Sequence, residues 1–155
     1  MEGSAPRPGP PRQHGPWYSR ERERVLFEWH GRKVPGLRRC TEPVRGRVYQ
    51  LSITVDFYDV ERDVEIVFEG YSVAPKVYAD GPDSPHRYED NALCMWDPRD
   101  SIENRWELRD GLLTLIGHIR LHLFREEYWR EFGVWLGPEA SHSEASKAQL
   151  PERAA

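Results

Sequence analysis

"GRVYQLSITVDFYDVERDVEIVFEG", residues 46–70, decides how the rest of the chain is read. Apolar Val48, Leu51, Ile53, Val55 and Phe57 are separated by polar Ser52, Thr54 and Asp56. From Leu51 onward the period is two, the signature of a strand with one buried and one wet face. Val64, Ile66 and Phe68 repeat the pattern on one face of a second strand. "YDVERD", residues 58–63, is short and polar, as a hairpin connection requires. Strands joined by short links pair with their neighbours in sequence. Working outward, "LRRCTEP" (37–43) reads as a preceding strand and "APKVYAD" (74–80) as a following one, ended by the Gly and Pro of "DGPDSP". The expectation is a four-stranded antiparallel meander.

The flanks change period. In "PWYSRERERVLFEWHGRKVPG" (16–36), Pro16 and Ser19 suit a helix start, and "RERER" reads as its solvated first turn. Val25, Leu26 and Trp29 share a face at helical spacing, and Gly31, Pro35 and Gly36 stop the helix. After Pro98 comes "RDGLLTLIGHIRLHLFREEYWREFGVWLG" (109–137), with Leu112, Leu115, Ile116, Ile119 and Leu123 as an apolar stripe. Asp110 is positioned as its N-cap. Tyr128, Trp129, Phe132 and Trp135 continue the apolar surface toward a second helix, read as core, and Gly137 and Pro138 end it. Strands first and helices after give an α+β class: an N-terminal helix, the meander, a loop, then C-terminal helices on the sheet.

At 155 residues there is room for one domain. Residues 1–16 are rich in Pro and Gly and read as a disordered tail; residues 143–155 are small and polar and read likewise. The domain is expected over 17–142. The N-terminus has no apolar run of signal-peptide type, and no segment approaches a membrane span, so a cytoplasmic protein is expected. A net charge of -4, with Arg supplying nearly all the positive charge, gives no basic surface for nucleic acid or anionic membrane. Two cysteines, Cys40 and Cys94, do not make a disulfide framework and fit a reducing compartment.

The chemistry concentrates in "SPHRYEDNALCMWDP", residues 84–98, between the last strand and the long helix. Such a segment is expected to be loop, where function gathers. Asp90 and Asn91 are turn residues, Asn because it tolerates positive φ. Cys94 has two readings. Leu93 anchors the loop while Cys94 faces solvent as a nucleophile, or Cys94 is a small buried hydrophobe in a short "ALCMW" strand. His86 could be a base, a thiolate partner or a hydrogen bonder that fixes the loop. His118 and His122 lie four apart on the long helix, but "HIRLH" lacks the Glu and the third ligand of a zinc site, so they are read as helix-surface or interface residues. Cys40 has no partner in sequence and is read as structural. No phosphate loop and no GxSxG motif is present.

With the order of elements and this motif in view, residues 17–142 resemble ubiquitin-conjugating enzymes, and in particular their bacterial branch. Bacterial members carry a pattern like H-x-Y-x-D-G-x-L-C-L-y-x-P, matched here by His86, Tyr88, Asp90, Leu93, Cys94 and Pro98. "WLGPEASH", ending at His142, is similar to the Trp–Gly…His ending of the same group. The departures are Asn91 in place of Gly, Met95 in place of Leu, and His86–Arg87–Tyr88 where eukaryotic members have His-Pro-Asn.

The resemblance implies a UBC-like fold and a catalytic Cys94. The thiolate takes a ubiquitin-like protein from a ThiF-like activating enzyme as a thioester and passes it to an amine or other nucleophile. His86, Asn91 and His142 are the implied supporting residues: His86 shaping the loop, Asn91 and His142 near the developing charge. No cofactor or metal is implied. Implied partners include a JAB-type peptidase and a cyclic-oligonucleotide synthase as target in an antiviral operon. A catalytically silent ubiquitin-fold binding module and a Cys hydrolase remain the alternatives.

Overall fold

A computed structural model describes residues 15–97 and 99–137. Both expected tails fall almost wholly outside these residues, as do Pro98 and His142. The described part is α+β, with strands β1 (Arg38–Glu42), β2 (Gly46–Val55), β3 (Val60–Phe68) and β4 (Lys76–Ala79) in one antiparallel sheet of order β1-β2-β3-β4. The expected meander is present, and its alternation is the one read from residues 51–55: Leu51, Ile53 and Val55 are buried, Ser52 and Thr54 exposed. Val64, Ile66 and Phe68 of β3 are buried on the same face as their β2 partners, Leu51 pairing with Val64 and Tyr49 with Ile66.

The β2–β3 turn is tighter than the sequence suggests. β3 already begins at Val60, so the turn is residues 56–59, with Phe57 (φ 69°) and Asp59 (φ 51°) in the left-handed region. Phe57 therefore leaves the strand pattern and is 96% exposed. The alternation predicts an inward Phe57, but the chain reverses before the pleat reaches it.

Helix α1 (Glu21–Glu28) follows a single 3-10 turn at Trp17–Ser19. Here the expected buried face is wrong. Val25, Leu26 and Trp29 are exposed, Leu26 at 65%, whereas Phe27 and Glu28 are buried. Phe27 makes edge-to-face contacts with Trp17 (4.9 Å between ring centroids), Phe68 (5.4 Å) and Trp106 (6.1 Å). Glu28 accepts from Arg47 Nη2 at 2.6 Å, Tyr49 Oη at 2.8 Å and Arg39 Nη1 at 2.6 Å. Two turns of helix with three apolar residues do not define a unique stripe. The aromatic cluster and the buried Arg47 set the rotation instead.

Helix α2 (Gly111–Phe132) runs unbroken for 22 residues, so this region holds one long helix where two were expected. Residues 124–132 contain no Gly or Pro, and the helix ends only at Gly133, which adopts φ 71° and donates its N–H to the Trp129 carbonyl. The expected stripe is the observed one: Leu112, Leu115, Ile116, Ile119 and Leu123 are all buried. Asp110 precedes the helix but makes no N-cap bond to it; its carboxylate instead accepts the Glu107 N–H at 2.8 Å, closing the 3-10 turn Leu108–Asp110. Tyr128 and Trp129 are half-buried, and Phe132 is exposed, so the aromatic run is only partly core.

Candidate functional site

Residues 86–94 form a miniature hairpin beside β4. Arg87 and Leu93 face each other across it, and two bonds close the pair: Tyr88 N–H to the Ala92 carbonyl and Cys94 N–H to the His86 carbonyl, each 2.9 Å. The reversal is built from turn chemistry. Asn91 N–H donates to the Tyr88 carbonyl at 2.8 Å, the Asp90 carboxylate accepts the Ala92 N–H at 3.1 Å, and Asn91 sits at φ 67°. The positive φ expected of Asn91 is thus observed. The Ala92 N–H and Lys76 both favour an ionised Asp90, holding its pKa below the ordinary carboxylate range.

Alternation across so short a hairpin separates two functions. Arg87 and Leu93 turn into the protein. Leu93 enters the core, and its N–H donates to the Val77 carbonyl of β4 at 2.7 Å. Arg87 forms a two-pronged bond to Glu126 of α2, Nε to Oε1 at 3.0 Å and Nη2 to Oε2 at 2.9 Å. Its Nη1 also donates to the Ala79 carbonyl at the end of β4 (2.8 Å) and to Asn91 Oδ1 (3.3 Å). Glu126 is 1% exposed and also meets Arg130 Nη2 at 2.8 Å and His122 Nε2 at 3.2 Å. Burial opposes its ionisation, but the bonds from His122 and Arg87 prevail and hold its pKa at about 2. A buried ion cluster therefore bolts the hairpin to the long helix.

The opposite face carries His86, Tyr88, Ala92 and Cys94. Cys94 is 5% exposed: of its two readings, the solvent-facing thiol is not the one observed, and the thiol is buried. The half-exposed Tyr88 stands diagonally across the hairpin from it, and its hydroxyl is near enough to bear on the ionisation of the sulfur. Burial pushes the Cys94 thiol above its ordinary pKa, the Tyr88 hydrogen bond pulls it down, and the Asp97 carboxylate pushes it up; the net direction is up. Burial and the Cys94 partner raise the Tyr88 hydroxyl in turn, so it is a donor at neutral pH. Asp97 is itself held by the Arg99 guanidinium, Nη2 to Oδ2 at 2.8 Å.

His86 is buried, and its ring lies 4.0 Å from that of Trp135. Trp135 belongs to the segment that turns back after Gly133, and it also touches His122 at 5.3 Å. The Asn91 side chain serves Arg87. His122, read as a helix-surface or interface residue, is buried, with Nε2 3.2 Å from Glu126 Oε1. His118 packs on Trp96 at 5.6 Å. No group of three metal-ligating side chains occurs among the described residues. Cys40, expected to be structural, is exposed on the edge strand β1. Sequence reading passed over Arg87, Glu126 and Asp97. Glu126 in an otherwise apolar stripe, 39 residues from Arg87, offered no local signal.

Comparison with known proteins gives one family. A family model described as "Type II CBASS E2 protein" matches residues 23–143, spanning the hairpin and the His142 segment together. No curated protein and no solved structure matches the chain. The matched span covers most of the chain, and the chain belongs to this type II CBASS E2 family, an E2-like bacterial family of antiviral operons.

Proposed function

We propose that this protein is an acyl carrier: Cys94 accepts a ubiquitin-like protein as a thioester and passes it to an amine or other nucleophile on a target. The observation that carries the reading is Cys94 on the hairpin face opposite Arg87 and Leu93, with an ion cluster locking that other face to α2. In the first step the Cys94 thiolate attacks the thioester carbonyl of a ThiF-like activating enzyme. The new C–S bond forms, the old one breaks, and the enzyme's thiolate leaves. Such exchange is nearly isoenergetic, and a thiolate of raised pKa is the stronger nucleophile. In the second step the acceptor attacks the Cys94 thioester, loses its proton, and Cys94 leaves as thiolate. A raised thiol pKa makes Cys94 a slower leaving group, which suits a carrier that must hold its cargo.

The family supports a role in bacterial antiviral defence alongside other CBASS proteins. The finer assignments are part of the proposal: a UBC-like domain over residues 17–142, a cytoplasmic site of action, a JAB-type peptidase as partner and a cyclic-oligonucleotide synthase as target. His86 holds the loop, Asn91 shapes its turn, and His142 is assigned a supporting role near the developing charge. Among the described residues no helix is long and apolar enough to cross a membrane.

The burial of Cys94 favours a second reading, a silent binding module in which the thiol is only packing. One experiment separates the two. The protein is incubated with its operon's ubiquitin-like protein, the activating enzyme and ATP, beside Cys94→Ala. An adduct that dithiothreitol removes and that Cys94→Ala lacks is the expected result. No adduct from a demonstrably active activating enzyme leaves the binding module.

A further inference from the structure

The hairpin face that presents Cys94 also holds Tyr88, which has no step of its own in the carrier reading. His86, Tyr88, Ala92 and Cys94 alternate with the inward Arg87 and Leu93. Tyr88 is therefore diagonal to Cys94 across the hairpin, a separation that an aromatic side chain spans. Its backbone is held on both sides, donating to Ala92 at 2.9 Å and accepting from Asn91 at 2.8 Å. Arg87, its neighbour, is fixed to Glu126. The phenol thus starts from a rigid base, half-exposed on the same hairpin face as the buried sulfur.

We propose that Tyr88 is a catalytic hydrogen-bond donor: its hydroxyl holds the Cys94 sulfur in the free protein and donates to the carbonyl oxygen of the Cys94 thioester during transfer. This rests on the acyl-carrier reading. When the acceptor nitrogen adds to the carbonyl, the C–O π pair moves onto oxygen, and the Tyr88 O–H hydrogen-bonds that oxyanion. The pair returns as the C–S bond breaks, Cys94 leaves as thiolate, and the acceptor's proton passes to solvent. Tyr88 keeps its own proton throughout. Its hydroxyl is harder to ionise than a free phenol, which is what a donor requires and a base does not. A preorganised donor aimed at developing charge acts without the reorganisation that water would need.

The test uses Tyr88→Phe, which keeps the ring over Cys94 and removes only the hydroxyl. The probe is a glycine-terminated peptide thioester of 2-mercaptoethanesulfonate, which loads a thiol by exchange with no activating enzyme. Intact mass follows loading, then discharge of the purified adduct to hydroxylamine. The expected result is an unchanged melting temperature, comparable extent of loading and discharge slowed on the order of tenfold; a fully enclosed oxyanion donor is worth more. Discharge within twofold of wild type, at equal melting temperature, overturns the assignment of Tyr88. Wild type that takes no acyl group from the probe or from the activating enzyme, or Cys94→Ala that loads equally, overturns the carrier reading and Tyr88 with it. That failure shows in proteins that retain Tyr88, so the two are distinguishable.

Discussion

Replacing Glu126 by Gln should remove most of the acid sensitivity that the Cys94 hairpin imposes on the fold. Glu126 is buried, ionised, and bonded to Arg87, Arg130 and His122. Its pKa lies at about 2 against an ordinary 4.5. At about 1.4 kcal/mol per pKa unit, the folded state gains about 3 kcal/mol from keeping it ionised. The folded value is the lower one, so the unfolded chain takes up the proton first as pH falls. The contribution is whole above about pH 5, falls to about 2 kcal/mol by pH 3.5, and is nearly gone at pH 2. Glu126→Gln keeps the shape but leaves Arg87 buried without its carboxylate, a loss of about 3 kcal/mol at neutral pH, in the range for breaking buried pairs. Urea unfolding of both proteins at pH 7, 5, 4 and 3.5 reads the effect directly. The stability gap between them should narrow by about 1 kcal/mol between pH 7 and pH 3.5. A gap that stays constant across that range, or Glu126→Gln as stable as wild type at pH 7, refutes the buried-cluster reasoning.

Two further outcomes follow from the same geometry. Asp97→Asn removes a negative charge that raises the Cys94 thiol, so alkylation of Cys94 by iodoacetamide at pH 8 should accelerate over wild type; an unchanged or slower rate contradicts the electrostatic assignment. At Asn91, held at φ 67°, Gly should cost less than about 1 kcal/mol while β-branched Val should cost about 1–3 kcal/mol, measured by denaturant unfolding. Equal stability of the Gly and Val proteins excludes the left-handed turn.

The meander was legible because strand alternation is a local property. Each of Leu51, Ile53 and Val55 alternates with a polar residue, and pairing with Val64 and Ile66 needs nothing but a tight turn. The stripe of α2 was legible for the same reason, as five apolar residues repeat at helical spacing over twelve positions. Phe57 and the face of α1 were not, because each depends on where a chain reversal or a partner falls. Leu26 and Phe27 are both apolar, and only the positions of Trp17, Phe68 and Trp106 decide that Phe27 is the one inside.

The candidate site divides along the same line. Turn chemistry at Asp90 and Asn91, and the presence of a cysteine after it, are written in consecutive residues. That Cys94 is buried was not, since exposure is set by what packs above a residue. Nor was the bolt beneath it: Arg87 and Glu126 are 39 residues apart, and a Glu amid apolar neighbours reads as an exposed helix position until an arginine is brought against it. Local periodicity and backbone preference are encoded by adjacent side chains, so the strands, the long helix and the turn could be read directly. Burial and charge pairing between distant segments are properties of the packed chain, so the rigidity of the hairpin and the state of its thiol were decided only when α2 closed over the sheet.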